Sequence, residues 1–221
     1  MSGELGLPAG TGKHPVVILL HGCGGLALAV PASLRAHSRM LRRHGFATLI
    51  LDSFGPRGIS GGWVCDRNSR LASATHYRQR DVRDAIQHLK SHPQIDIHNT
   101  FLMGQSNGAG VAAEMARGKK YKNIRAAVAF YPWCGSVWDR SAKPLLVLAG
   151  GADDWTPPEG CRKRHNPASG ITVHVYPDAT HSFDLDIPEL VYKGHRLKGD
   201  KQATGNSRKR MVRFFRQNLK D

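Results

Sequence analysis

The chain has 221 residues, 40% hydrophobic and 22% charged, with a formal net charge of +15 at pH 7 and a pI near 10.2. That balance describes an ordinary folded chain, and no apolar run approaches the ~18 residues of a membrane-spanning helix. The charge invites an anionic partner, but no nucleic-acid motif accompanies it, and neither a C-x-x-C pair nor an H-E-x-x-H run marks a metal site, so no specific nucleic acid, membrane or metal is expected.

The opening "MSGELGLPAGTGKHP" lacks a basic-then-apolar signal pattern. The default expectation is therefore cytoplasmic, with export as a mature form left open. "HPVVILL" (14–20) is a short apolar run rich in β-branched residues, as suits a strand buried on both faces. The glycine-rich "HGCGG" follows it. "PASLRAHSRMLRRHG" then opens on proline and closes on glycine, as helices do. "FATLILD" (46–52) is a second strand, and residues 53–69, rich in Gly, Pro, Ser and Asn, form a long loop. "RDVRDAIQHLKSH" (80–92) carries Val82, Ile86 and Leu89 at helical spacing. "TFLM" is a strand, "GVAAEMARG" a helix, and "RAAVAFY", "PLLVLAG" and "ITVHVYP" are three further strands. The tail "RKRMVRFFRQNL" lines up Val212, Phe215 and Leu219 on one helical face. Strands alternating with helices predict a mainly parallel sheet covered on both faces, in one α/β domain spanning 1–221.

Arg35, Arg39, Arg42 and Arg43, then Arg78, Arg80 and Arg83, then Arg208, Lys209, Arg210, Arg213 and Arg216 read as solvated helix faces. The four cysteines, Cys23, Cys65, Cys134 and Cys161, permit disulfides, but a chain of this length holds a core without them.

"GQSNG" (104–108) places Ser106 between two glycines, just past a strand and just before a helix. The G-x-S-x-G pattern makes a strained turn that lifts the hydroxyl above the sheet edge, where parallel sheets gather their chemistry. Glycines flank the serine because side chains there would clash in so tight a turn. Serine needs a base to take its proton, and the base needs a carboxylate to orient it. In sheets with such an elbow the partners follow in the order acid, then histidine. "GGADDWTPP" offers Asp153 or Asp154 after the fifth strand, and "YPDATHSFD" offers His181 after the sixth. "HGCGG" lies where the second oxyanion donor is expected, so the backbone N–H groups of Cys23 and Asn107 are the candidate donors, the Cys23 side chain being incidental.

With "VVILLHGCGG", "LDSFGPRG", "LMGQSNGAG", "GGADDWTPP" and "YPDATHSFD", nearly the whole chain resembles the dienelactone hydrolase family of α/β-hydrolases. The resemblance implies an α/β-hydrolase fold with little or no cap, and hydrolysis of esters or lactones through an acyl-enzyme without a cofactor. It selects Asp153 as the acid, through its spacing from Gly150 and Pro157. Asp154 then points away, capping the helix suggested by "TPPEG". Two departures stand out. The founding members use a cysteine nucleophile where this chain has Ser106, which favours a general carboxylesterase. The segment before the first strand is also short, so either the sheet is reduced to its parallel strands or residues are missing.

Two other readings compete. "GCGGLA" followed by Asp52 outlines a NAD(P)-binding fold, although Pro31 delays the helix and Ser106, Asp153 and His181 go unexplained. A non-enzymatic protein binding through its basic surface is the second. For the substrate, a small ester or lactone with an anionic group is favoured by the charge. Arg57 is a candidate carboxylate ligand or a pin for its own loop, and Trp133 and Trp155 are candidate contacts. A monomer or homodimer is expected.

Overall fold

The computed structural model describes residues 1–59, 62–135 and 139–220. Residues 60 and 61 of the expected long loop lie outside that set. A seven-stranded sheet runs through the molecule in the order β1-β3-β2-β4-β5-β6-β7. The strands are β1 (Ser2–Gly6), β2 (His14–Leu20), β3 (Ala47–Asp52), β4 (Ile95–Gln105), β5 (Ile124–Phe130), β6 (Leu145–Gly150) and β7 (Ile171–Tyr176). All neighbours are parallel except β1, which pairs antiparallel with β3 from Ser2↔Asp52 to Gly6↔Thr48. The opening of the sheet is thus reduced to one antiparallel strand, and a purely parallel sheet is not what forms.

The helices are α1 (Val30–Arg43), α2 (Asn68–Leu89), α3 (Asn107–Arg117), α4 (Glu159–Arg162) and α5 (Lys201–Gln217). The period-2 geometry of strands sorts the core into two layers. On β2, Val16, Ile18 and Leu20 face α2 and α3, while Val17 and Leu19 face α1 and α5. The first layer packs Val82, Ala85 and Leu89 of α2 with Ala109, Ala112, Ala113 and Ala116 of α3. The second packs Leu34 and Leu41 of α1 with Met211, Val212 and Phe215 of α5. A hairpin, β8 (Leu190–Tyr192) with β9 (His195–Leu197), follows β7. No helix among the described residues is long and apolar enough to cross a membrane.

Chain length removed the need for disulfides, yet the structure forms two, Cys23–Cys65 and Cys134–Cys161. The Cys23 side chain is therefore not incidental: it ties the loop after β2 to a 3₁₀ turn, Trp63–Asp66, in the segment after β3. Bridges of this kind persist in oxidising surroundings and are rare in a reducing cytoplasm. The Rossmann-type reading finds no support, because α1 begins at Val30, well past the glycines of "GCGGLA", and its N-terminus does not meet them.

Candidate active site

Ser106 follows β4 directly and precedes α3. Its backbone sits at φ 50° and ψ −116°, a left-handed conformation that a residue with a Cβ adopts only under constraint. The constraint is visible: its N–H donates to Phe130 O at 3.0 Å, and its C=O accepts from Gly110 N at 3.1 Å. A Cβ on Gly104 would collide with the Gly108 carbonyl, and one on Gly108 with the carbonyls of Leu20 and His21. Both glycines of the elbow are thus required by close backbone approach.

Past the end of β7, His181 is buried, with Nε2 at 3.0 Å from Ser106 Oγ and Nδ1 at 2.8 Å from Asp153 Oδ2. Asp153 lies past the end of β6. Its Oδ1 accepts from the N–H groups of Trp155 (2.9 Å) and Thr156 (2.8 Å), and the Thr156 hydroxyl stands 2.8 Å from Oδ2. Burial pushes the Asp153 carboxyl up, but the hydrogen bond and charge of His181, with the Thr156 donors, outweigh it and hold it below the usual range. A carboxylate so held keeps the proton of His181 on Nδ1 and leaves Nε2 to accept from serine.

Gly22, in the loop after β2, lies against Ser106, since a Cβ on it would stand 3.4 Å from Ser106 Cβ. Cys23 follows. Asn107 opens α3, so its N–H belongs to the first turn, which has no intrahelical acceptor. Its side chain is engaged elsewhere: Oδ1 accepts from Arg78 at 2.8 Å, and Nδ2 donates to Leu71 O and Thr75 Oγ1.

The structure treats the remaining candidates differently. Trp155 joins the site: its ring is 5.0 Å from that of His181 and stacks at 4.7 Å on His195. Arg57 does not offer a free cation. It grips Asp81 at 2.7 and 2.9 Å and the Ser53 carbonyl at 2.6 Å, so it pins its own loop. Trp133 is 68% exposed, with its ring folded over Gly135. Asp154 caps no helix. It accepts from Arg196 N at 3.3 Å and lies 3.4 Å from His195, while α4 has Pro158 at its N-cap and no side-chain cap. Among the described residues no cluster of His, Cys, Asp or Glu is arranged to hold a metal.

Two features escaped the sequence. The first is Asp184, fully buried three residues after His181. It accepts from Tyr131 OH (2.5 Å), Gln105 Nε2 (2.6 Å), His37 Nε2 (2.7 Å) and Ser33 Oγ (3.1 Å). Burial raises its carboxyl, but these donors, His37 foremost, hold it below the usual range. Gln105 precedes Ser106, and Tyr131 packs edge-on against His181 at 4.7 Å while its carbonyl accepts from Thr156. One carboxylate therefore links the loops of all three residues. The second is Arg78, which the charge pattern assigned to solvent and which is 0% exposed. The available signal was its place on the stripe Ala74, Arg78, Val82, Ala85, Leu89.

A family model described as the dienelactone hydrolase family matches residues 1–219. The chain belongs to the dienelactone hydrolase family. A search of the curated proteins found no match. Among solved structures it is similar to the dienelactone hydrolase-like promiscuous phosphotriesterase P91 from metagenomic libraries, at 21% identity over 99% of this chain and 92% of that one, TM-score 0.73. It is similar to a putative dienelactone hydrolase of Klebsiella pneumoniae, at 16% identity over 98% and 100% of the two chains, TM-score 0.73. Thermogutta terrifontis esterase 2, phosphoramylated by tabun, matches at 16% identity over 97% and 88%, TM-score 0.72. This hydrolase-family member has the α/β fold of those proteins, with six parallel strands and one antiparallel.

Its pH response follows from buried groups around the site. Burial and the neighbouring Arg78 hold His21 well below the ordinary histidine value, and burial lowers His37 despite Asp184. Both take up a proton at lower pH in the fold than in the unfolded chain, which protonates them near pH 6.5. Stability should therefore fall as pH drops below about 6.5. Asp153 and Asp184, held low, contribute stability above about pH 4 that is lost on further acidification. Melting temperatures at pH 7.5, 5.5 and 3.5 should decline in two stages. A Tm unchanged between pH 7.5 and 5.5 would mean that the two histidines are not held neutral.

Proposed function

We propose that this protein is a serine hydrolase of carboxylic esters or lactones, with Ser106 as nucleophile, His181 as general base and Asp153 as its orienting acid. The observation that carries the reading is the hydrogen-bonded chain Ser106–His181–Asp153, at 3.0 and 2.8 Å, mounted on a strained elbow. His181 Nε2 takes the serine proton as Oγ attacks the ester carbonyl, and Asp153 stabilises the imidazolium that forms. The N–H groups of Cys23 and Asn107 receive the oxyanion. Collapse expels the alcohol, protonated by His181, and leaves an acyl-Ser106 ester. Water then repeats the sequence and releases the acid. Trp155 forms a wall beside His181. An anionic substrate is favoured by the summed charge rather than by Arg57, which is occupied.

A fluorophosphonate probe tests the reading, and a fold neighbour phosphoramylated by tabun makes that chemistry the natural choice. Mass spectrometry should find one adduct, on Ser106, with p-nitrophenyl ester hydrolysis lost in step with labelling. An adduct on another serine, or full labelling without loss of hydrolysis, would overturn it.

A further inference from the structure

Arg78 lies near the middle of α2 and is wholly buried. Its guanidinium donates from Nη1 to Asn107 Oδ1 and from Nη2 to the His21 carbonyl, both at 2.8 Å. Nε has no partner, and the Phe54 ring stands 5.1 Å from Cζ. Among the described residues no carboxylate comes within ion-pair distance. Asp81, one turn along α2, is held by Arg57 instead. Burial lowers the guanidinium to about 10, which leaves it charged at neutral pH. A buried charge without a direct ion pair is costly, and an apolar residue on this stripe would pack without that cost.

Its two acceptors point to a purpose. Asn107 supplies one candidate oxyanion amide, and its side chain is held by Arg78, Leu71 and Thr75. His21 stands two residues before Cys23, which supplies the other. The two arms of one rigid fork thus hold the two segments from which the donors project. Small errors in such spacing are expensive in rate. No carboxylate hydrogen-bonds the fork; Asp81 and Asp52 attract its charge from beyond ion-pair distance, so part of its field still reaches the oxyanion.

We infer that Arg78 is a positioning residue of the oxyanion hole: its guanidinium sets the distance between the Cys23 and Asn107 amides and adds positive charge to the segments that carry them. The inference rests on the serine-hydrolase reading above.

The test compares wild type with Arg78→Met and Arg78→Lys, using a neutral p-nitrophenyl ester and a trifluoromethyl ketone that forms a tetrahedral oxyanion adduct on serine. Arg78→Met should lower kcat on the order of 10²-fold, the scale of losing one oxyanion donor, with KM nearly unchanged. The ketone's inhibition constant should rise by a similar factor. Arg78→Lys, which lacks the fork, should show the same split, so the result stands if the methionine variant fails to fold. A purely structural role would lower the melting temperature and leave the folded fraction with wild-type kcat and ketone affinity. That result would overturn the inference, as would a kcat loss without a matching loss of ketone affinity. Wild type that takes no fluorophosphonate label on Ser106 would instead overturn the underlying reading, so the two failures are distinguishable.

Discussion

Asp153→Asn should lower kcat by about 10⁴, the cost measured when a serine-protease triad loses its carboxylate. The reason is tautomeric. Asp153 Oδ2 accepts the proton of His181 Nδ1 at 2.8 Å. An amide turned to present its N–H there forces the imidazole proton onto Nε2, facing Ser106, and the base is gone. The amide oxygen can still accept from Trp155 and Thr156, so the loop should stay folded. Asp154→Asn should change kcat by no more than a few-fold, because that side chain faces His195 and Arg196 at the rim. Both variants are measured against one p-nitrophenyl ester near pH 7.5. An active Asp153 variant, or an inactive Asp154 variant, would show that the wrong neighbour was assigned.

Asp184→Ala should cost about 3–5 kcal/mol of stability, the range for removing one partner from a buried charged cluster, and lower Tm on the order of 10 °C. Four donors from α1, β4 and the loop after β5 converge on this carboxylate, all of them on buried residues. Urea or thermal unfolding gives the number. A loss below 1 kcal/mol would mean that the donors satisfy one another once the carboxylate is gone.

The hydrogen-bonded chain Ser106–His181–Asp153 was legible because each member follows a strand, and strands buried on both faces announce themselves as apolar runs. Ser106, Asp153 and His181 were found by their place after "TFLM", "PLLVLAG" and "ITVHVYP". Two parts of the fold were not legible. Strand β1, "SGELG", has two glycines and an exposed glutamate, and its identity comes from pairing with β3 rather than from its own composition. Helix α2 opens at Asn68, not Arg80: its first turns set only Leu71, Ala74 and Tyr77 against the core, among many polar residues, and the stripe is interrupted by the buried charge of Arg78. Asp184 ends the run "YPDATHSFD", but nothing in that run gave it a role, since a single loop carboxylate becomes buried only when helices distant in sequence close over it. The cysteines were visible, but which pairs meet is decided by the loops that the sheet brings together.

The two disulfides also act where no folded contact exists. Cys23–Cys65 spans 42 positions and Cys134–Cys161 spans 27. When the chain denatures with both intact, it carries two covalent rings, one holding α1 and β3, the other holding β6 and Asp153. Such rings deny the denatured ensemble many of its expanded conformations, which raises its free energy. They also shrink the surface exposed on unfolding. The urea dependence of unfolding should thus be shallower than a chain of 221 residues otherwise gives. Part of this enzyme's endurance then resides in the disorder its unfolded chain is forbidden, not in the contacts of its native one.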